Sequence, residues 1–517
     1  MLPAVPGPTG RRLPESTRAW HGPDHWVCSK VQGLGAGPQG PDIVGAHAGN
    51  IVELRNRFDT IHALHCIGEV SMAQPATVST RVGIPNTPAA RNIRVQLGRI
   101  LPLLKEIGLS PTAVRLVGGL PRALLTTRDV GYRVPRHEGL DVDLVMESDA
   151  IIVGMRLQEI HGGALTAHKQ FANATWHPPK HLSASSVDLI SARSESYPQP
   201  GQLPEWVPGS FVDDCYRRDF TVNTLALDLE TAADLCAGAG QCLVHHHPLA
   251  LEDLRQGIIR VLHAGSFVDD PTRLFRAVRY EQRLGFRLSG QTMDLFSSAV
   301  AGNCPATVSG TRIRHEVELA FLESRVAAVL NRLVHLGLLA GMGLTGARAE
   351  EGREACGRMS EADVNRIDMG WLLMLGAAEA EPSTAGQELG LPPKMQVRAE
   401  VFRSLLQDPV WAKGTLSDLT LARRLGSVSR DSLVLRSLQV YFPHLHPRID
   451  WLMARAADPG PRLDGRDLIQ LGYTPGRTLG RILEELRVLR LAGMLRSIED
   501  ERAWVRDHGP EMQAAPE

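Results

Sequence analysis

Three mainly apolar stretches of the chain read as strands, in which residues two apart point to one face. They are AVRLVGG (113–119), GLDVDLVME (139–147) and VDLISARSE (187–195). The first runs into LPRALL (120–125), which predicts a helix start with Pro121 where the first turn tolerates it. Upstream, RNIRVQLGRILPLLKEIGL (91–109) spaces Ile, Val and Leu for one face of a helix and ends at a glycine. The third strand leads into the Pro- and Gly-rich stretch SYPQPGQLPEWVPGS (196–210), and DDCYRRDFTVNTLALDL (213–229) predicts a helix or turn entering an apolar segment. From about residue 250 the spacing is mostly helical, as in DDPTRLFRAVRYEQRLGF, GTRIRHEVELAFLESRVAAVLNRLVHLGLL and RTLGRILEELRVLRLAGML. Residues 340–460 predict further body helices, and no repeat stands out. Residues 1 to about 90 hold no sustained period and are rich in Pro and Gly; they predict a disordered extension, with Met72 as an alternative start.

Composition changes this picture little. The chain has 517 residues, 22% charged and 43% hydrophobic, an ordinary globular balance whose length suggests about three or four domains. A net charge of −1 gives no global signal for nucleic acid, so any polyanion-binding surface has to be local. Arginine carries nearly all of the positive charge, which suits bidentate phosphate contacts and equally suits a GC-rich genome. Seven scattered cysteines without a CxxC pair predict reduced thiols in a cytosolic protein rather than a disulfide frame or a zinc site. No apolar run reaches membrane-spanning length, and no basic region followed by an apolar core marks a signal peptide, so a cytoplasmic protein without a membrane partner is expected.

The chemistry concentrates in a few places. Asp141 and Asp143 lie two apart on a predicted strand and so face the same way. Paired carboxylates repel unless a cation sits between them; the alternative is a solvated strand end. Gly118-Gly119, at a strand-to-helix turn, lets the backbone approach a phosphate beside a helix N-terminus. A phosphate cradle about twenty residues before a DxD is how a site holds a nucleoside triphosphate with Mg²⁺. In RRDFTVN (217–223), the adjacent Arg217 and Arg218 suit triphosphate oxygens while Asp219 fixes one guanidinium; a surface ion-pair cluster is the alternative. Asp270 and Arg273 are i, i+3 at a helix start, and Arg273, Arg276 and Arg279 recur every three residues, predicting arginines turned toward one cleft while Leu274, Phe275, Ala277 and Val278 pack.

Taken in order, LVGGLPRALL, GLDVDLVME, HKQFANATW, VDLISARSESYPQPGQLP, RRDFTVNTLAL, GIIRVLHAGSFVDDPTRLFRAVRYEQRLGF and VSGTRIRHEVELAF resemble the bacterial tRNA nucleotidyltransferase and poly(A) polymerase family, within the polymerase-beta-like nucleotidyltransferases. The resemblance covers about 112–340 and resumes faintly at LDGRDLIQLGYTPGRTLGRILEELRVLRLAGML, which is similar to the family's C-terminal RNA-binding helices. It implies an α+β protein: a nucleotidyltransferase head with a small mixed sheet over 93–230, a helical neck over 231–300, a helical body over 301–455 and C-terminal helices over 456–517, after the extension at 1–92. It also implies template-independent transfer of CMP and/or AMP from CTP or ATP to a tRNA 3′ end. A poly(A) polymerase shares these motifs, and a non-catalytic RNA-binding protein of the same fold is the reading of another class.

The roles the resemblance implies are specific. Asp141 and Asp143 hold two Mg²⁺ ions; Gly118, Gly119 and Arg122 contact the triphosphate; Arg217, Arg218 and Asp219 contact the incoming nucleotide. Asp270 and Arg273 match the base-reading acid and arginine of the family's EDxxR motif, Arg276 is a further nucleotide contact, and Arg312 and Arg314 lie on the helix that braces that motif. A third carboxylate near the attacking hydroxyl falls to Asp188, with Glu195 as competitor. The chain departs from the family at Ala123, where an acid usually follows the arginine, which puts the brace of Arg122 in doubt, and at Asp269, which replaces a glutamate. No HD-type phosphohydrolase motif is visible, so no phosphatase activity is expected.

Overall fold

The computed structural model describes residues 76–110, 112–126, 142–182, 186–360, 362–363, 365–412, 416–456 and 460–514. Three of the predicted strands form its centre: β2 (Val114–Val117), β3 (Val142–Met146) and β6 (Val187–Ser191). They belong to a six-stranded mixed sheet in the order β4-β5-β6-β3-β2-β9, with β4 Ala164–His168, β5 Asn173–His177 and β9 Leu227–Asp228. β3 and β6 run parallel and the other neighbours antiparallel.

The period of two sorts the faces. Val114, Leu116, Val142, Leu144, Met146, Val187, Leu189, Ala174 and Trp176 are buried in the main core. Three helices of the head contribute to that core: α1 (Pro88–Glu106), α2 (Gly119–Leu125) and α3 (Ala150–His161). α1 begins where Thr87 accepts the Ala90 N–H at 3.1 Å, with Pro88 in the first turn. α3 begins where Asp149 accepts from Ile151 and Ile152 and stops at Gly162, whose φ of 73° suits glycine. The opposite sheet face carries Arg115, Val117, Asp143, Val145, Asp188 and Ile190 and is less covered, with only a small cluster of Val117, Val145, Ala192 and Ala226 against Ile190 and Phe211. The strand aspartates therefore sit on the face that does not need to be apolar.

Two expectations need correction here. Part of the expected extension is ordered: β1 (Val78–Gly83) pairs antiparallel with β10 (Gln241–His246), in register from Val78↔His246 to Gly83↔Gln241. β1 escaped the periodicity because its side chains are nearly all exposed, so backbone pairing rather than burial holds it. Residues 1–75, Met72 among them, lie outside the described residues. β10 also falls within the expected helical neck, as does a short parallel pair, Ile258–Ile259 with Arg287–Leu288, so strand structure continues past residue 230. At the Pro-rich stretch β7 (Arg193–Ser196) and β8 (Glu205–Pro208) pair as a hairpin.

After β10 the described chain is essentially helical, as the spacing predicts. Those that bear on the site are α4 (Phe211–Tyr216), α5 (Leu229–Cys236), α6 (Ala250–Gln256), α7 (Ser266–Asp269), α8 (Thr272–Leu284), α9 (Gly290–Ala301), α10 (Gly310–Phe321), α11 (Val326–His335), α12 (Ala347–Gly357) and α13 (Arg366–Ala377). α8 ends at Gly285 in the left-handed conformation. The last three helices, from Gly465 to Ala514, build a separate small core around Leu463, Leu468, Tyr473, Ile482, Leu486 and Val505. Among the described residues no helix is long and apolar enough to cross a membrane.

Candidate nucleotide site

A cleft of about 820 Å³ opens where the sheet meets α8. Of the expected residues, Gly118, Gly119, Arg122, Asp143, Arg217, Arg218, Asp219, Asp270, Arg273 and Arg276 all line it. Asp141 lies outside the described residues. Asp188 does not line the cleft, whereas Glu195 does.

The turn after β2 forms the floor. Gly118 has φ 75° and packs so closely on Asp143 that a Cβ there would overlap the carboxylate. Glycine is thus required twice, for the backbone and for the space. In the β3–β6 register Asp143 is directly opposite Asp188, and the Thr175 hydroxyl donates to Asp188 at 2.6 Å. Two oxygen-donor carboxylates side by side fit a hard divalent cation such as Mg²⁺. Among the described residues no group of three or more metal-ligating side chains gathers.

The arginines are held by carboxylates that the sequence pattern did not single out. Asp214, on α4, is 2% exposed and accepts from both neighbours: Arg217 Nε at 2.9 Å and its Nη2, and Arg218 Nε at 3.1 Å and Nη2 at 2.7 Å. Burial alone would raise the Asp214 carboxyl, but the two guanidiniums outweigh it and hold it below the usual range. The signal was present, since Asp214 stands i, i+3 and i, i+4 to the two arginines, which one helical turn brings together. Asp219 fixes a guanidinium as expected, but that of Arg276, through Nε at 2.9 Å and Nη2 at 2.7 Å. Burial pushes the Asp219 carboxyl up, and Arg276, followed by the Asn223 amide, holds it below the usual range; Arg276 is raised in turn by Asp219.

Ala123 does not leave Arg122 unbraced. The Arg122 guanidinium donates to the Asn223 side-chain oxygen, and Asn223 Nδ2 donates to Asp219 at 2.8 Å, so an amide occupies the role expected of an acid. Arg122 also faces the ring of Tyr280 at 5.1 Å, with Arg276 and Arg283 each 5.7 Å from the same ring.

At the start of α8, Asp270 caps the helix by accepting from Thr272 N at 3.1 Å and Oγ1 at 2.7 Å, and it accepts from Arg312 Nη2 at 2.8 Å. Arg312 Nη1 donates to the Gly201 carbonyl at 2.6 Å, which ties the β7–β8 hairpin to the same acid. Arg314 does not share this brace: it pairs with Glu318 at 3.4 Å and donates to the Gly390 carbonyl. Arg273 is 4% exposed and donates to Ser266 Oγ at 2.7 Å and the Arg217 carbonyl at 2.8 Å. The expectation that Arg279 also faces the cleft is wrong: it pairs with Glu316 at 2.7 Å and Glu323 at 3.3 Å on α10 and just beyond it. At 3.6 residues per turn, each step of three drifts by about 60°, so a third arginine has turned about 120° from the first. Glu195 faces the cleft but is engaged, accepting from Arg193 Nε at 2.8 Å and the Tyr197 hydroxyl at 3.1 Å. Burial pushes the Tyr197 hydroxyl up, so it remains a donor.

The site thus joins a glycine turn, the Asp143 carboxylate and a set of oriented guanidiniums, equipment that suits a polyanionic nucleotide, with Asp270 and Arg273 in the same cleft. Comparison with known proteins agrees. A family model described as the poly A polymerase head domain matches residues 114–246. The CC-adding tRNA nucleotidyltransferase of Deinococcus radiodurans is 30% identical over 374 residues, 70% of this chain and 84% of that protein. The A-adding tRNA nucleotidyltransferase of Halalkalibacterium halodurans is 37% identical over 242 residues, 46% of this chain and 52% of that protein. That of Geobacter sulfurreducens is 35% identical over 268 residues, 50% of this chain and 28% of that protein. A solved CCA-adding enzyme in apo form II shares the fold, with a TM-score of 0.62 over 83% of this chain and 99% of that one at 22% identity. The chain belongs to the tRNA nucleotidyltransferase and poly(A) polymerase family. Its match spans about half the length of the A-adding relative from Halalkalibacterium and less than a third of the one from Geobacter.

Proposed function

We propose that this protein transfers CMP and/or AMP from CTP or ATP to the 3′ end of tRNA in the cytoplasm, with Mg²⁺ bound at Asp141 and Asp143. The observation that carries this is the meeting of Gly118-Gly119, Asp143, the Asp214-held Arg217 and Arg218, and the Asp270 and Arg273 helix start in one cleft. Its relatives include A-adding and CC-adding tRNA nucleotidyltransferases, which supports the same reading.

The residues suggest the division of labour. Arg217, Arg218 and Arg276 orient triphosphate oxygens, each guanidinium already pinned by an aspartate so that little freedom is lost on binding. Gly118 and Gly119 let the backbone reach those oxygens at the start of α2. Bound Mg²⁺ supplies charge neutralisation of the phosphates and a more acidic attacking hydroxyl. The RNA 3′ oxygen bonds to the α-phosphorus, the bond from that phosphorus to the bridging oxygen breaks, and pyrophosphate leaves. Asp188 is assigned as the third carboxylate from its place opposite Asp143 on the same sheet face, although Glu195, its competitor, is the one that lines the cleft. Asp270 accepts from the exocyclic amino group of C or A, and Arg273 donates to a ring acceptor. Guanine and uracil present a carbonyl instead of that amino group, and each buried polar group left unpaired costs about 1–3 kcal/mol.

The test is incubation of the protein with tRNA ending before CCA, in C or in CC, offering each labelled nucleotide alone. Incorporation of C or A supports the proposal, and the pattern of acceptors defines CCA, CC or A addition. Long A tracts on any RNA would make it a poly(A) polymerase, and no incorporation would make it an RNA-binding protein of the same fold.

A further inference from the structure

The cleft is also lined by Arg283, Leu322, Glu323, Ser324 and Arg366, a lobe built from the end of α8, the segment after α10 and the start of α13. None of these residues belongs to the expected nucleotide set, and Arg366 is anomalous among them. It is 9% exposed, yet no carboxylate of the described residues pairs with it. Its Nη2 donates to the Glu323 carbonyl at 3.0 Å, and its Nε is buried with no acceptor. The Glu323 carboxylate nearby is taken, accepting from Arg279 at 3.3 Å and from Arg283 Nε at 3.1 and 3.0 Å.

Arg366 is also the first residue of α13, whose N-cap Asn365 makes no side-chain cap. The positive end of a helix repels a guanidinium, so this cation sits in an unfavourable field, and Asp368 in the same turn forms no ion pair with it. A nearly buried charge without a counter-ion destabilises the protein unless something arriving later neutralises it. An under-satisfied guanidinium lining the cleft at an uncapped helix start matches the oxygens of a phosphate.

We infer that this lobe binds a backbone phosphate of the acceptor RNA strand, with Arg366 positioning the 3′ end for attack. The inference rests on the transferase reading above. It favours the RNA because the triphosphate, and with it the leaving pyrophosphate, is assigned above to Gly118, Gly119, Arg217, Arg218 and Arg276, none of which belongs to this lobe. The leaving pyrophosphate offers the same oxygens and is the competing source.

The test compares wild type with Arg366→Met and Arg366→Lys in steady-state assays on tRNA lacking its terminal nucleotides, and in RNA binding without nucleotide across a salt series. Arg366→Met should raise the KM for RNA about tenfold and leave the KM for nucleotide within twofold. It should also lower the slope of log affinity against log salt by about 0.7–0.9, one phosphate contact. Its melting temperature should hold or rise, since an unpaired buried charge is removed, whereas a purely structural arginine would lower it. Arg366→Lys should fall between the two in KM. An unchanged KM for RNA and unchanged salt slope in both variants would overturn the inference, as would a change confined to inhibition by pyrophosphate. If wild type transfers no nucleotide, the transferase reading fails by itself, while the salt slope still reports whether Arg366 meets an RNA phosphate.

Discussion

Replacing Asp214 by alanine is the sharpest perturbation of the site, because one carboxylate holds two arginines. The side chains of Asp214, Arg217 and Arg218 are 3%, 16% and 14% exposed, so solvent screens these pairs little. Removing one partner of a buried ion pair costs about 3–5 kcal/mol. The loss should fall at the low end, about 3 kcal/mol, because Arg218 keeps the Asn223 carbonyl at 3.2 Å and Arg217 stays 3.6 Å from Glu195. Chemical denaturation with and without saturating CTP or ATP measures it, and the deficit should shrink with nucleotide, whose triphosphate replaces the missing negative charge. The KM for nucleotide should rise about ten- to a hundredfold, equivalent to about 1.4–2.8 kcal/mol. The Asp214 carboxyl is held below the usual range, so its contribution is complete above the unfolded value of about 3.9 and is lost only as pH falls through the lower folded value. The difference between wild type and variant should therefore be flat from pH 7 down to about 5. A loss under about 1 kcal/mol with an unchanged KM would mean that the pairs behave as exposed ones and that the arginines are oriented by something else.

Other outcomes follow from the same geometry. Asp141→Ala and Asp143→Ala should each abolish nucleotide addition in Mg²⁺ while the melting temperature holds or rises, because one member of a repelling pair is gone; near-normal addition by either would refute the metal assignment. Asp188→Asn should lose turnover, whereas Glu195→Gln, which weakens the contacts to Arg193 and Tyr197, should chiefly lower stability; the reverse pattern in rates would move the third carboxylate to Glu195. Arg273→Ala should raise misincorporation of UTP and GTP about ten- to a hundredfold with tRNA affinity kept, and unchanged selectivity with a large loss of tRNA affinity would put Arg273 on the RNA surface. Deleting residues 1–71 should leave the melting temperature unchanged, whereas deleting through Gly83 should lower it by a few degrees by unpairing β10; equal effects of the two deletions would show that β1 contributes nothing.

Much of the protein was legible in its order of residues because the information is local. The period of two in β2, β3 and β6 marks a core face and an open face, and Asp143 and Asp188 fall on the open one by parity alone. The Gly118-Gly119 turn, the RRD run and the DDPTR helix start are contiguous motifs, so their members needed no fold to be found. Asp214 was within reach of the same reasoning through its helical spacing to Arg217 and Arg218. Other features depended on pairings between distant segments, which no spacing rule reports. The strand at Val78–Gly83 exists because β10, more than 150 residues away, supplies its hydrogen bonds, while its own side chains stay in water. Asn223 reaches Arg122 from 101 residues away and fills the place left by Ala123. Arg279 and Arg276 look alike in sequence, yet Glu316 and Glu323 draw one into the scaffold while Asp219 keeps the other at the cleft. Local patterns thus assigned elements and faces, and left the Asp214 pairs within reach, whereas the partners of Arg122, Arg276 and Arg279 were decided only by tertiary packing, because buried guanidiniums need partners and these stand 101, 57 and 37 residues away in the chain.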